Sequence, residues 1–278
     1  MKLQKTLFLL PNAITLASIF CGFDAIRLAA EAQSDRDYFR SALLVMFAAI
    51  FDTLDGRVAR ATKTQSSFGL QIDSLADVVS FGLAPAFLVY RWSLHQLGNV
   101  GLLVAFAFVA CGAIRLARFN VLSMREEARE AREARAHGVT TVAKPPKYIV
   151  GLAIPGAAGV LVGLVMANAS VSGPLGERRY AWLLAGLVVA LSLLMVSTVQ
   201  FRSFKDLRLE PRTFAVLALV VGSSAAVSAY SKPPFVLLWL LGGYVLVGLV
   251  ESALTAARKV PHALSRRRRR GRIARRSP

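Results

Sequence analysis

Four aspartates carry the chemistry that this sequence is equipped to do. Asp52, Asp55, Asp73 and Asp77 lie in one stretch, DTLDGRVARATKTQSSFGLQIDSLAD. Asp52 and Asp55 are three apart, and Asp73 and Asp77 are four apart, so each pair shares one face of a helix. One pair ends an apolar run and the other begins the next. The connection between them is short, which makes the two helices antiparallel neighbours and lets the pairs converge. Ionised groups at membrane depth cost about 2.5–3.5 kcal/mol each on insertion scales. Converging carboxylates also repel one another unless cations lie between them. Hard divalent cations with oxygen ligands fit best, and Mg²⁺ binds through carboxylates together with substrate phosphates. No His or Cys lies nearby to favour zinc. Either pair alone would be read as an ordinary polar contact; the four together read as a metal site.

Small residues border these carboxylates. Gly56 and Ala59 follow Asp55 one turn apart, and Gly69 lies across the connection. They leave room for a bulky group close to the backbone. Arg57, Arg60 and Lys63 put positive charge at the lip, where a nucleotide diphosphate would enter.

The same stretch resembles the CDP-alcohol phosphatidyltransferases. It matches their signature D-x2-D-G-x2-A-R-x8-G-x3-D-x3-D without a gap, with Asp52, Asp55, Gly56, Ala59, Arg60, Gly69, Asp73 and Asp77 at the fixed positions. The resemblance implies two divalent ions, Mg²⁺ or Mn²⁺, held by Asp52, Asp55, Asp73 and Asp77. It implies that Asp55, Gly56, Ala59, Arg60 and Gly69 surround the CDP moiety of a CDP-linked lipid. It also implies that Asp77 takes the proton of the attacking alcohol, a choice among the four aspartates that the residues alone do not make. Such a reaction is chemically sound here: cations clamp a pyrophosphate for in-line displacement, a carboxylate serves as general base, and CMP leaves.

The acceptor alcohol is addressed by a second region. CGAIRLARFNV places Arg115 and Arg118 at i,i+3 with Asn120 just beyond, and KPPKYIVGLAIPGAA brings in Lys144, Lys147 and Tyr148. Arginine suits a carboxylate or a phosphate. These residues therefore fit the carboxylate of serine, a lipid phosphate, or simple snorkelling of basic side chains to the interface. Together with the opening LPNAITLASIFCGF, these segments resemble the phosphatidylserine synthase branch of the family, over residues 6–205. Ala153 stands where the branch usually has Pro and Gly156 where it usually has Ala. Asp24 and Arg27 are also unusual for the branch, and at i,i+3 they can pair with each other. The branch implies CDP-diacylglycerol and L-serine as substrates. Glycerol 3-phosphate, inositol and choline are the alternative acceptors, although choline calls for an aromatic cage, of which no clear sign is present. From a different class, a cation-coupled transporter could use intramembrane aspartates, but the carboxylates cluster at one end of one hairpin and no inverted pair of broken helices is apparent.

The elements that must position these residues are membrane helices. The chain has 278 residues, 55% of them hydrophobic, with mean hydropathy +0.52. Its apolar runs approach the roughly 20 residues needed to cross a bilayer and lack the alternation of barrel strands. A helix satisfies its own backbone within lipid. The expected fold is thus an all-α polytopic bundle of eight spans, near 12–30, 41–58, 70–90, 98–118, 149–168, 180–199, 214–230 and 235–255. A short interfacial helix is expected at 1–11, a catalytic helical core over 12–205, two added spans within 206–257 and a basic tail over 258–278. Residues 126–137, EEAREAREARAH, read as a cytosolic extension of the fourth span, with i,i+3 and i,i+4 pairing.

Charge sets the orientation. With the N-terminus in the cytoplasm, the cytoplasmic segments hold 27 Lys and Arg against 6 on the other side. The site then opens at the cytoplasmic face of the cytoplasmic membrane. The net charge of +18 sits in loops and in the tail, where it suits anionic headgroups of membrane lipids rather than nucleic acid. Cys21 and Cys111 lie in apolar runs and suggest neither a disulfide framework nor a metal site. The stretch after Lys2 and Lys5 runs into a full span with no small-residue cleavage site, so no cleaved signal is expected. The expected assembly is a homodimer.

Overall fold

The computed structural model describes residues 2–62, 64, 66–137, 148–197, 200–202, 235–236, 239–243 and 245. They are helical apart from one small ribbon. Helix α1 (Lys2–Glu31) contains Pro11 and runs continuously from the segment expected to be interfacial into the first span. Helix α2 (Asp35–Ala61) follows a tight turn. Its start is fixed by Asp37, whose Oδ2 accepts from the Ser34 hydroxyl at 2.7 Å and from the backbone N–H of Ser34 at 3.1 Å. These hydrogen bonds hold the Asp37 carboxyl below its usual pKa, and its charge suits the helix N-terminus.

The third span bends. Helix α3 (Ser67–Asp77) is capped by Ser66, whose Oγ accepts from Gly69 N–H at 3.0 Å. Directly after Asp77 the helix widens to π spacing over Val78–Leu83, then resumes as α4 (Ala84–Trp92). Helix α5 (Asn99–His137) passes through the segment EEAREAREARAH without a break, as expected for an extension of the fourth span. Helices α6 (Ile154–Val171) and α7 (Arg178–Val196) complete the described bundle. Strand β1 (Tyr148–Val150) pairs antiparallel with β2 (Gln200–Arg202). The turn after β1 needs a glycine: Gly151 has φ +80°, and a Cβ there would strike the Met195 carbonyl.

Among the described residues, five segments are long and apolar enough to span a membrane: Pro11–Glu31, Phe68–Trp92, Asn99–Arg125, Ile154–Val171 and Arg178–Val196. They coincide with the first, third, fourth, fifth and sixth expected spans, with one correction. The fifth begins at Ile154 rather than near 149, because Tyr148–Val150 is drawn into the ribbon. The second expected span is present as α2, but its charges crowd both ends and leave only 41–51 free of them. Nonetheless α2 lies inside the bundle, packed against α1 and α6. The expected span at 214–230 and the tail lie outside the described residues. Of the one at 235–255, the few described residues are helical.

Small and hydroxylated residues let α1, α2 and the π segment approach closely, as in other membrane helix pairs. Ser41 Oγ donates to Ala25 O at 2.7 Å, Ser18 Oγ to Ala48 O at 3.1 Å, and Ser80 Oγ to Ser18 O at 3.0 Å. A Cβ on Gly22 would lie 2.9 Å from Ser80 Cα. The close seam sets the height of α2 and of the π segment against α1, and therefore the height of the aspartates on α2 and on α3, which the π segment continues.

Candidate active site

Helix α2 presents Asp52 and Asp55 two turns before its end, and α3 presents Asp73 and Asp77 at its end. The hairpin brings all four together. Asp52, Asp55 and Asp73 each offer a carboxylate oxygen, and the three oxygens lie within 4.8 Å of one another. The Asp77 carboxyl is in hydrogen-bonding contact with that of Asp52. Its Oδ1 is buried and has no hydrogen-bond partner among the described residues. A buried acceptor left this way costs about 1–3 kcal/mol, more when charged, and adjoining carboxylates repel. Both penalties are relieved by a cation or a proton among them. An all-oxygen donor set of this kind fits a hard divalent cation.

The hairpin connection shapes a pocket beside the cluster. Thr62 Oγ1 donates to Val58 O at 2.7 Å, and Thr64 N–H donates to Ala59 O at 3.1 Å, which curls the chain off the end of α2. The resulting cavity, of about 510 Å³, is lined by Asp55, Gly56, Ala59, Arg60 and Gly69, with Asp73 also on its wall. All five residues expected around the CDP moiety thus share one cavity. A Cβ on Gly56 would meet nothing nearer than the Arg60 guanidinium at 3.7 Å, so the glycine keeps this wall open. One on Gly69 would press on Ser66 Oγ at 3.2 Å and crowd the cap of α3.

The cavity also has walls that the motif does not announce: Pro11, Asn12 and Thr15 of α1, Thr64 and Ser66 of the connection, Leu70 and Gln71 of α3, and Met124 of α5. Thr15 Oγ1 donates to Asp55 Oδ2 at 2.6 Å. Asn12 and Thr15 belong to the sequence LPNAITLASIFCGF, so a signal existed, but only the α1–α2 contact gives it meaning.

The residues proposed for the acceptor separate. Arg115 is buried and close enough to Asp77 for its charge to act on that carboxyl. Arg118 turns the other way and donates to Val196 O at 3.1 Å and Ser197 O at 3.4 Å, at the end of α7. Cations there satisfy terminal carbonyls and oppose the helix dipole. Asn120 Nδ2 donates to Ser74 Oγ at 2.8 Å, between Asp73 and Asp77 on α3. Lys63, Lys144 and Lys147 lie outside the described residues. Asp24 and Arg27 pair at 2.7 Å, as their spacing allows, and Arg27 also reaches Glu31 at 2.9 Å.

Comparison with known proteins agrees with this geometry. The profile of the family described as CDP-alcohol phosphatidyltransferase matches residues 8–199. The chain is 34% identical over 245 residues to a CDP-diacylglycerol–serine O-phosphatidyltransferase of Helicobacter pylori, covering 88% of this chain and 91% of that protein. It is 33% identical over 235 residues to the protein of that name from Mycobacterium tuberculosis, covering 84% and 74%. For the one from Methanocaldococcus jannaschii, identity is 28% over 248 residues, covering 89% and 96%. A matched profile that takes in the aspartate hairpin and the five candidate spans, and relatives aligned over most of both chains, make this an integral membrane member of the CDP-alcohol phosphatidyltransferase family.

Proposed function

We propose that this chain transfers the phosphatidyl group of CDP-diacylglycerol to the hydroxyl of L-serine, giving phosphatidylserine and CMP. The observation that carries the reading is the convergence of Asp52, Asp55 and Asp73, with Asp77 against Asp52, beside a cavity lined by Asp55, Gly56, Ala59, Arg60 and Gly69. The relatives named for the serine reaction support the choice of acceptor.

In this reading Asp52, Asp55, Asp73 and Asp77 hold two divalent ions, Mg²⁺ or Mn²⁺. When bound, such ions neutralise a pyrophosphate and the charge that develops on it during displacement. Gly56 and Ala59 let the nucleotide lie close to α2, and Arg60 meets its phosphates. The serine oxygen attacks the lipid-bearing phosphorus, the bond from that phosphorus to CMP breaks, and the hydroxyl proton passes to Asp77. The unpaired, buried Oδ1 of Asp77 supports that role, because a general base needs a free oxygen aimed at its substrate. Arg115, beside Asp77, receives the serine carboxylate.

The finer architecture belongs to the same proposal. Two spans near 214–230 and 235–255 bring the total to eight, 1–11 lies in the interface, and the core is 12–205. The site faces the cytoplasm, the chains pair as a homodimer, and the tail at 258–278 lies against anionic headgroups.

The decisive assay follows CMP release from CDP-diacylglycerol by detergent-purified protein with Mg²⁺ or Mn²⁺. Serine, glycerol 3-phosphate, inositol and choline are supplied in parallel. Release that requires serine and yields phosphatidylserine is the expected result. Transfer to another alcohol would overturn the acceptor and keep the reaction. No release with any acceptor would overturn both.

A further inference from the structure

Thr15 stands on α1, one turn beyond Pro11, and reaches the aspartate cluster across the α1–α2 contact. Its Oγ1 lies 2.6 Å from Asp55 Oδ2 and 3.0 Å from Pro11 O. Thr15 is 5% exposed and Asp55 4%. No water fits in a 2.6 Å contact, so the hydroxyl meets the carboxylate directly. A threonine in a helix splits between two χ1 rotamers because its Oγ can turn back to the carbonyl four residues earlier. Here that carbonyl is Pro11 O, and the rotamer that faces it is also the one that meets Asp55. The hydroxyl is therefore set before any ligand arrives.

A carboxylate pinned at one oxygen cannot rotate freely, and its other oxygen gains a fixed direction. Groups that orient metal-binding carboxylates are typically worth 10–100-fold in metal affinity or activity. We propose that Thr15 is a positioning residue for the cation site, holding Asp55 Oδ2 so that this carboxylate and its neighbours keep a geometry ready for a divalent ion. The proposal rests on the reading of the four aspartates as ligands to divalent cations.

The test is Mn²⁺ binding to the full-length protein in detergent, followed by electron paramagnetic resonance without either substrate. Thr15→Val removes the hydroxyl at nearly constant volume, Thr15→Ala removes it in a second way, and Thr15→Ser keeps it. The two hydroxyl-free variants are expected to bind Mn²⁺ about 10-fold more weakly or worse, with Thr15→Ser remaining within about 3-fold of wild type. At saturating CDP-diacylglycerol and serine, the hydroxyl-free variants should need correspondingly more metal for half-maximal CMP release, and excess metal should restore most of kcat. Unchanged Mn²⁺ affinity in whichever hydroxyl-free variant elutes as wild type does would overturn the proposal, even if activity fell. So would an equal loss in Thr15→Ser, or a raised KM for CDP-diacylglycerol at unchanged metal affinity, which would make Thr15 a substrate contact. Wild-type protein that binds no Mn²⁺ overturns the cation reading itself, and this outcome is distinct because it appears before any variant is compared.

Discussion

At the residue scale, the aspartates differ in surroundings although the motif treats them alike. Asp55 faces the cavity and is held by Thr15, whereas Asp77 lies against Asp52 and near Arg115. Asp52→Asn, Asp55→Asn and Asp73→Asn should each reduce CMP release by at least about 100-fold, since each removes a charge from the set proposed to hold the cations. Near-normal turnover in any one would remove it from that set. Asp77→Asn should lose transfer as well but retain measurable binding of CDP-diacylglycerol, which equilibrium binding to labelled lipid would report. The arginines offer a second separation. Arg115→Lys replaces a planar fork by a point charge. A charge-assisted hydrogen bond contributes about 1.5–3 kcal/mol, so the KM for serine should rise about 10-fold or more while CDP-diacylglycerol binding holds. An unchanged serine KM would move Arg115 away from the acceptor. Arg118→Lys should instead lower thermal stability, because its guanidinium serves Val196 O and Ser197 O. This distinction was not legible in the sequence. Arg115 and Arg118 sit at i,i+3 in one motif, and only the position of α7 shows that the second is used by a helix end.

At the scale of elements, the hairpin was legible and its supports were not. Carboxylate spacing and a short connection were enough to converge four side chains. The widening of the third span over Val78–Leu83 has no spacing signature, since periodicity detects an apolar stripe and not an added residue in one turn. Within that segment the backbone of Ser80 approaches α1, where Gly22 admits it. Likewise, α2 lacks a long uncharged apolar run because it carries Asp52 and Asp55 toward one end and a capped, acidic start at the other. Function here costs the helix its hydrophobic signature. If the α1–π contact sets the height of Asp77, Gly22→Ala should push Ser80 away and destabilise the protein by about 1–3 kcal/mol, the range for overpacking. Thermal unfolding in detergent would measure it, and CMP release should fall in the protein that remains folded. Gly186→Ala is the control, because nothing lies within 4 Å of its Cβ position. Equal behaviour of the two variants would separate the seam from the site.

At the scale of the whole molecule, several independent contacts place the chemistry at one face. The ribbon of Tyr148–Val150 with Gln200–Arg202 joins the start of α6 to the end of α7. Arg118 ties that same end of α7 to α5, and Asn120 ties α5 to α3 between Asp73 and Asp77. The aspartates, the ribbon and the charged extension of α5 therefore stand on the same side of the bundle. In the proposed orientation, which rests on a loop charge of 27 Lys and Arg against 6, that side is the cytoplasmic one. The short segment Gly173–Glu177, between α6 and α7, then belongs to the opposite side. From the extension of α5 to the end of the chain, α6, α7 and the two proposed spans make an even number of crossings, so both ends of that stretch share a compartment. A reporter inserted near Ala134 and one fused after Pro278 should both report cytoplasm, and one inserted within 173–177 should report the far side. An external signal near Ala134 would invert the site, leaving it without access to a cytosolic CDP-lipid headgroup. An external signal after Pro278 alone would keep the site where it is and change the number of spans beyond Arg202 from even to odd.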